Sequence, residues 1–204
     1  MNPQGQKPFS AAAERNREPI LAVLRVHFAD RRKVLEIGAG TGQHAVHFAA
    51  AMPWLVWQCA DRAVNLDGIR LWLAEAALPN TPAPLAFDVN DAQWPDLRCD
   101  AVYTANTLHI MSWPEVERLF ARLPELLAGD DAKLAIYGPF NYGGRFTSES
   151  NAAFDARLRA EAPHMGIRDF EAVDALARAA GFALIEDRAM PANNRCLVWR
   201  RPAG

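Results

Sequence analysis

Cysteine is scarce in this chain: only Cys59, Cys99 and Cys196 occur, odd in number and far apart, each in an apolar stretch. That pattern suits buried free thiols, argues against a disulfide framework or a zinc site, and fits a reducing compartment. Lysine is equally scarce, with Lys7, Lys33 and Lys133 standing against nineteen arginines. A formal charge of −2 provides no whole-molecule attraction toward nucleic acid or an anionic membrane. No uninterrupted apolar run reaches membrane-spanning length, and the opening MNPQGQKPFSAAAERNREPI has no apolar core of the signal-peptide kind. Repeats and low-complexity linkers are missing as well. The expectation is one cytoplasmic domain over 1–204, with 1–32 as a helical N-terminal extension.

What is present is alternation. Ile20, Leu24, His27 and Phe28 recur at helical spacing after Pro19, which suits a first helical position. The polar stretch 10–18 also looks helical, but should not pass Pro19 without a break or kink. Strands are predicted at 33–38, 55–61, 84–89, 100–106 and 132–140, and helices at 43–52, 65–78 and 114–127, the last bent at Pro124. An amphipathic helix over 169–182 is stopped by Gly181, and strands 182–190 and 195–201 are separated only by PANN, which predicts an antiparallel hairpin. Strands alternating with helices imply crossover connections and a mostly parallel sheet. The predicted fold is α/β: a seven-stranded, mostly parallel, Rossmann-like sheet with helices on both faces and a C-terminal antiparallel hairpin. A nicotinamide-binding domain would end in a sixth parallel strand instead.

The sharpest local signal is VLEIGAGTG, residues 34–42, where a strand runs through Gly38, Gly40 and Gly42 directly into a helix. Glycines there let the backbone turn tightly and let a ligand approach closely. Asp61 ends the second strand, where a carboxylate can accept ribose hydroxyls, and Asp88 ends the third, where it can accept from an adenine amino group. Glu36 lies inside the first strand, where a charge is costly unless hydrogen-bonded. A pyrophosphate wants the wider G-x-G-x-x-G spacing. G-x-G-x-G with an acid upstream suits a ligand without phosphate, such as S-adenosylmethionine.

These residues resemble the class I S-adenosylmethionine-dependent methyltransferase superfamily: EIGAGTG its glycine motif, CAD (59–61) its second-strand acid, FDV (87–89) its adenine motif, DAVYTANTLH (100–109) its fourth-strand motif and AAGF (179–182) the entry to its sixth strand. More narrowly, AERNREPI (13–20), TANTLHIMSW (104–113), YGPFNYGGRFTSESNAAFD (137–155) and PANNRCLVWR (191–200) are similar to the methyltransferase-like protein twenty-six family. The resemblance implies that Glu36, Gly38, Ala39, Gly40, Thr41 and Gly42 cradle the amino acid end of the cofactor. It implies further that Asp61 holds the ribose, that Asp88 and Val89 hold the adenine, and that Asn106 lies beside the sulfonium. Arg62 departs from the apolar residue common after the ribose acid, and its guanidinium plane could stack on adenine. Arg15 or Asn16 would fold over the site and bind the cofactor carboxylate.

Methyl transfer needs chiefly alignment of a nucleophile with an activated carbon, worth roughly 7–11 kcal/mol. Two stretches following the fourth and fifth strands should overhang the methyl group. His109 is the preferred general base because imidazole titrates near neutrality, with Tyr137 and Asn141 beside it as further catalytic candidates. Asn193 and Asn194 suit turn geometry. His44 and His47 lack companions for a metal site, and the tryptophans suit packing rather than a nucleic-acid platform. The expected activity is methylation of a small molecule at N, O, S or C, yielding S-adenosylhomocysteine. A catalytically silent cofactor-binding subunit and an NAD-dependent oxidoreductase are the alternatives.

Overall fold

A computed structural model describes residues 7–129 and 131–202; the first six residues of the predicted extension lie outside them. The strands are β1 (Lys33–Ile37), β2 (Val56–Asp61), β3 (Leu85–Ala86), β4 (Ala101–Ala105), β5 (Lys133–Gly138), β6 (Phe140–Asn141), β7 (Arg168–Asp169), β8 (Ala183–Met190) and β9 (Asn194–Arg200). The helices are α1 (Ala11–His27), α2 (Gln43–Ala51), α3 (Leu66–Ala76), α4 (Trp113–Leu126), α5 (Glu149–Glu161) and α6 (Phe170–Ala179). Seven strands form one sheet in the order β3-β2-β1-β4-β5-β9-β8, and β6 pairs with β7 separately. β9 runs antiparallel to both β5 and β8, as the PANN turn predicted, so the sheet is mostly parallel with an antiparallel hairpin at its end.

The chain forms two compact units, up to Pro95 and from Asp96 onward. In the first, β1 and β2 pair from Lys33↔Val56 to Ile37↔Ala60, burying Val34, Leu35, Trp57 and Cys59. Phe48 of α2 packs on Trp57, their ring centroids 5.3 Å apart. α1 is unbroken from Ala11 to His27 despite Pro19, which corrects the expected break. Proline lacks the N–H that would bond the Arg15 carbonyl, at a typical cost of about 3 kcal/mol. Both halves of α1 are fastened independently: Ser10 caps the start by accepting from Ala13 N–H (3.2 Å), Asn16 bonds His44, and Ile20, Val23 and Leu24 are buried after the proline. Ahead of α1, Lys7 pairs with Glu75 (2.6 Å) and stands over Trp72, whose indole N–H donates to the Pro8 carbonyl (2.7 Å). β3 is two residues long rather than six; it is an edge strand, and Pro82 and Pro84 before it remove ladder donors.

In the second unit, α4 starts on a capping box, Glu115 accepting from Ser112 N–H (2.6 Å), and continues through Pro124 while burying Val116, Leu119, Phe120 and Leu123. β5 stops at Gly138 rather than at 140, because Pro139 cannot donate to the ladder. Trp199 of β9 is fully buried and donates to Asp174 Oδ1 of α6 (2.9 Å).

Gly42 has φ +89°, and a Cβ there would lie 3.2 Å from the Ile69 Cα. Gly40 has φ +59° with open space around its Cβ position. Alanine at either position carries the cost of a left-handed backbone, about 1–2 kcal/mol. Gly42→Ala should lose more stability than Gly40→Ala because only at Gly42 is the new Cβ crowded as well. Urea unfolding of the two variants measures the difference.

Candidate cofactor and acceptor sites

The glycine loop of the first unit is held from inside. Gly38 and Ala39 N–H groups donate to the Ala60 carbonyl (2.9 and 3.3 Å), and Gly42 N–H donates to the Ala39 carbonyl (2.9 Å). Gly40 N–H donates to Asp61 Oδ2 (2.6 Å). Gln43 N–H, at the start of α2, donates to the Thr41 hydroxyl (3.3 Å). A loop whose donors are committed this way offers no ready nest to a pyrophosphate. Above Gly40 there is room, since nothing lies within 4 Å of the position a Cβ would take.

Asp61 is buried and does more than the sequence suggested. Its Oδ1 accepts from Arg62 N–H (2.7 Å) and Asn65 Nδ2 (2.7 Å), and its carbonyl accepts from Phe87 N–H (2.9 Å). A carboxylate offers about four lone-pair sites. Three serve the fold, and one on Oδ2 is left for a hydroxyl. Arg62 is exposed. Asp88 lies beyond β3, its Oδ1 accepting from Asn90 N–H (2.8 Å) to close a turn beside buried Val89.

Glu36 is fully buried and accepts from the Trp57 indole N–H (2.7 Å). Burial pushes its carboxyl from about 4.5 up to about 8, with the Asp61 charge adding to the rise and the Trp57 bond opposing it. Glu36 is therefore protonated at neutral pH, a state that removes the cost of a strand-embedded charge. Near the start of α1, Asn16 is buried with its Oδ1 2.7 Å from His44 Nε2, while Arg15 is exposed. Sequence reasoning missed Gln43. Its Oε1 accepts from Ser10 N–H (2.5 Å) and Thr41 Oγ1 (3.1 Å), whereas its Nε2 is buried with no partner among the described residues.

In the second unit, Asn106 closes β4 in the left-handed region (φ +55°), tolerable for Asn. Its N–H donates to the Tyr137 carbonyl (2.8 Å). Asn106 Oδ1 and His109 Nδ1 converge on Gly138, 3.8 and 3.9 Å from where its Cβ would be. The His109 ring is buried edge-on to Phe154 (5.3 Å), and its carbonyl accepts from Gly166 N–H (2.9 Å). Burial, with the Arg168 charge, lowers His109 to about 4, so the ring is neutral at pH 7. Arg168, another residue not foreseen, fixes this segment by donating to the carbonyls of Leu108 (3.0 Å), Met111 and His164 (3.0 Å). Tyr137 is buried within β5, and Asn141 is buried in β6. Asn193 has φ +57° and donates from Nδ2 to Ser150 Oγ (3.1 Å), so it shapes the turn and latches it to α5. Among the described residues no cluster of His, Cys, Asp and Glu could hold a metal ion.

A family model described as a protein of unknown function, DUF938, matches residues 7–201. The chain belongs to the DUF938 family. This DUF938 chain is similar in structure to an O-methyltransferase family protein from Burkholderia thailandensis, with TM-score 0.81 and 20% identity over 92% of this chain and 56% of that one. It is also similar to the S-adenosylmethionine-dependent methyltransferase SibL in its apo form, with TM-score 0.78 and 25% identity over 95% and 56%. PigF with SAH gives TM-score 0.75 and 15% identity over 89% and 54%. The DUF938 chain thus spans little more than half the length of these structures. Its fold is that of S-adenosylmethionine-dependent methyltransferases.

The burial of Glu36 has a measurable consequence. Below about pH 4.5 the carboxyl is protonated folded or unfolded; between 4.5 and 8 only the folded state keeps the proton. The stability tied to that proton is full below pH 4.5 and is lost as pH rises through 8. Glu36→Gln, which can still accept from Trp57, should lose less Tm than wild type between pH 5 and 8. Buried His44 and His109, both lowered to about 4, act in the opposite sense below pH 6.5 in both proteins.

Proposed function

We propose that this DUF938 chain binds S-adenosylmethionine and transfers its methyl group to a small-molecule acceptor, leaving S-adenosylhomocysteine. The observation that carries the reading is the glycine loop: the N–H groups of Gly38, Ala39, Gly40 and Gly42 are consumed within the unit, one of them by Asp61, while the space above Gly40 is open. Such a cradle suits an adenosyl ligand without phosphate and speaks against NAD. The orphan donor at Gln43 Nε2 is the kind of group a carboxylate would satisfy.

When bound, the cofactor supplies a methyl group on a sulfonium, already activated for in-line displacement. The chain's own work is to bind and orient. The spare lone pair of Asp61 accepts from the ribose, Asp88 and Val89 flank the adenine, and Arg62 stacks or screens from solvent. Glu36 with residues 38–42 shapes the wall against the amino acid end, and Asn16 or Arg15 adds to Gln43 there, which would make residues 7–32 a cover for the site. Asn106 is a further cofactor contact. On the acceptor side we assign His109, Tyr137 and Asn141. His109, neutral at pH 7, can accept a hydrogen bond from the acceptor, and its lowered basicity favours orientation over proton abstraction.

The finer likeness to the methyltransferase-like protein twenty-six family belongs to the same proposal. Two of its segments meet at one acid: Tyr142 donates to Asp187 Oδ2 (2.8 Å) and Arg195 donates to Asp187 Oδ1 (2.6 Å). We further propose a cytoplasmic protein of one domain, acting without nucleic acid or membrane. Among the described residues no helix is long and apolar enough to cross a membrane.

Thermal-shift titration tests the cofactor. S-adenosylmethionine and S-adenosylhomocysteine should raise Tm by mass action and NAD should not. Asp61→Asn should lower both the Tm and the adenosyl response, because an amide cannot replace all the acceptors that Gly40, Arg62 and Asn65 use. A response to NAD alone, or none at millimolar ligand, would overturn the proposal.

A further inference from the structure

β6 and the start of α6 are stitched together by three successive residue pairs. Asn141 lies opposite Asp169 in the β6–β7 register. Next, Tyr142 stacks on Phe170, with ring centroids 5.2 Å apart and planes 22° from parallel. Then Gly143 N–H donates to Glu171 Oε1 (3.0 Å). The first pair is joined through the backbone ladder alone, and its side-chain oxygens are left over. Asn141 is 8% exposed with its Oδ1 fully buried, and Asp169 Oδ1 is buried too, yet neither oxygen has a hydrogen-bond partner among the described residues.

Asp169 makes this odder. It is the N-cap residue of α6, where an aspartate ordinarily accepts from the N–H groups of the first turn, but its side chain makes no capping bond. Its neighbour Arg168 directs its guanidinium to the carbonyls of Leu108, Met111 and His164. Residues opposite one another in a strand pair project to the same face, so two orphan acceptors, one of them a carboxylate, stand side by side. They follow the C-terminal end of β5, where open α/β sheets place their ligands, three residues beyond the Gly138 on which Asn106 and His109 converge. Native proteins leave few buried polar atoms unpaired, and such atoms concentrate where a ligand completes them.

We propose that Asn141 and Asp169 form a subsite for a protonated amine: the Asp169 carboxylate supplies the counter-charge, and both oxygens accept N–H bonds from one nitrogen. The Tyr142–Phe170 stack and the Gly143–Glu171 bond hold the two strands rigid, so the oxygens are set before the ligand arrives. The use of the amine as or beside the methyl acceptor rests on the methyl-transfer reading; the binding of the amine does not.

The test uses the full chain without cofactor, with benzylamine as probe and benzyl alcohol as its neutral counterpart of equal shape, read by ligand-observed NMR titration. Benzylamine should bind at least tenfold more tightly than benzyl alcohol, and Asp169→Asn or Asn141→Leu should each remove about that factor. A second readout separates a subsite from an internal bond. If the two oxygens await a ligand, both variants keep the wild-type Tm or exceed it, because neither substitution breaks a hydrogen bond that those oxygens make in the fold. Equal binding of amine and alcohol, undiminished amine binding by Asp169→Asn, or a clear loss of Tm in both variants would each overturn the proposal. S-adenosylhomocysteine titrated in parallel reports on the cofactor reading alone, since Asp169→Asn should leave that response intact.

Discussion

The short hydrogen bond from Gly40 N–H to the Asp61 carboxylate ties the turn after β1 to the end of β2, and much of the first unit is arranged around it. The same carboxylate receives Arg62 N–H and Asn65 Nδ2, so it starts the chain toward α3 as well. Its backbone carbonyl receives Phe87 N–H beyond β3. One buried acid therefore sets the relative heights of three consecutive strand ends. Charge-assisted bonds of this length are roughly twice as strong as neutral ones. The carboxylate can be buried because backbone and amide donors replace the water it gives up.

That economy also shapes what the loop can bind. A phosphate-binding turn must keep its N–H groups pointed outward and free. Here the N–H groups of Gly38, Ala39, Gly40 and Gly42 point inward, to Ala60, Asp61 and Ala39, and the open side of the loop lies over Gly40 beside one spare oxygen lone pair of Asp61. Protonated Glu36 under the strand keeps a second negative charge out of the same neighbourhood. A cationic, phosphate-free nucleoside suits this arrangement better than a dinucleotide does.

The legible parts of the sequence were those whose chemistry is local. Three glycines with positive φ at 38, 40 and 42 read directly as a strand-to-helix turn, and PANN between two apolar runs read as a hairpin. Asp61 was visible as an acid at a strand end, but its duty to Gly40 needs two residues twenty-one apart in sequence to meet. Glu36 was visible as a costly group, while its partner Trp57 depends on the β1–β2 register. α5 escaped notice because its buried residues are Asn151, Asp155 and Leu158, so no apolar stripe marks it. Asp155 is satisfied there by Ile167 N–H and Arg159, again partners only the fold supplies. Pro19 does not end α1 for a related reason: propensity is a local term, and fastening on both sides of the proline outweighs it.

The second unit repeats the pattern of a rigid frame around a few uncommitted groups. Arg168 and Gly166 pin the 106–111 segment, aromatic stacking pins β6 to α6, and Asn141 and Asp169 are left with oxygens to offer. The central claim, however, lies at the loop that Asp61 holds. Amide hydrogen exchange with and without S-adenosylhomocysteine tests it most directly. Added protection confined chiefly to residues 38–43 and 61–65 is the result expected here. Saturating ligand that leaves those amides unchanged, or protects a different part of the chain, would contradict the account.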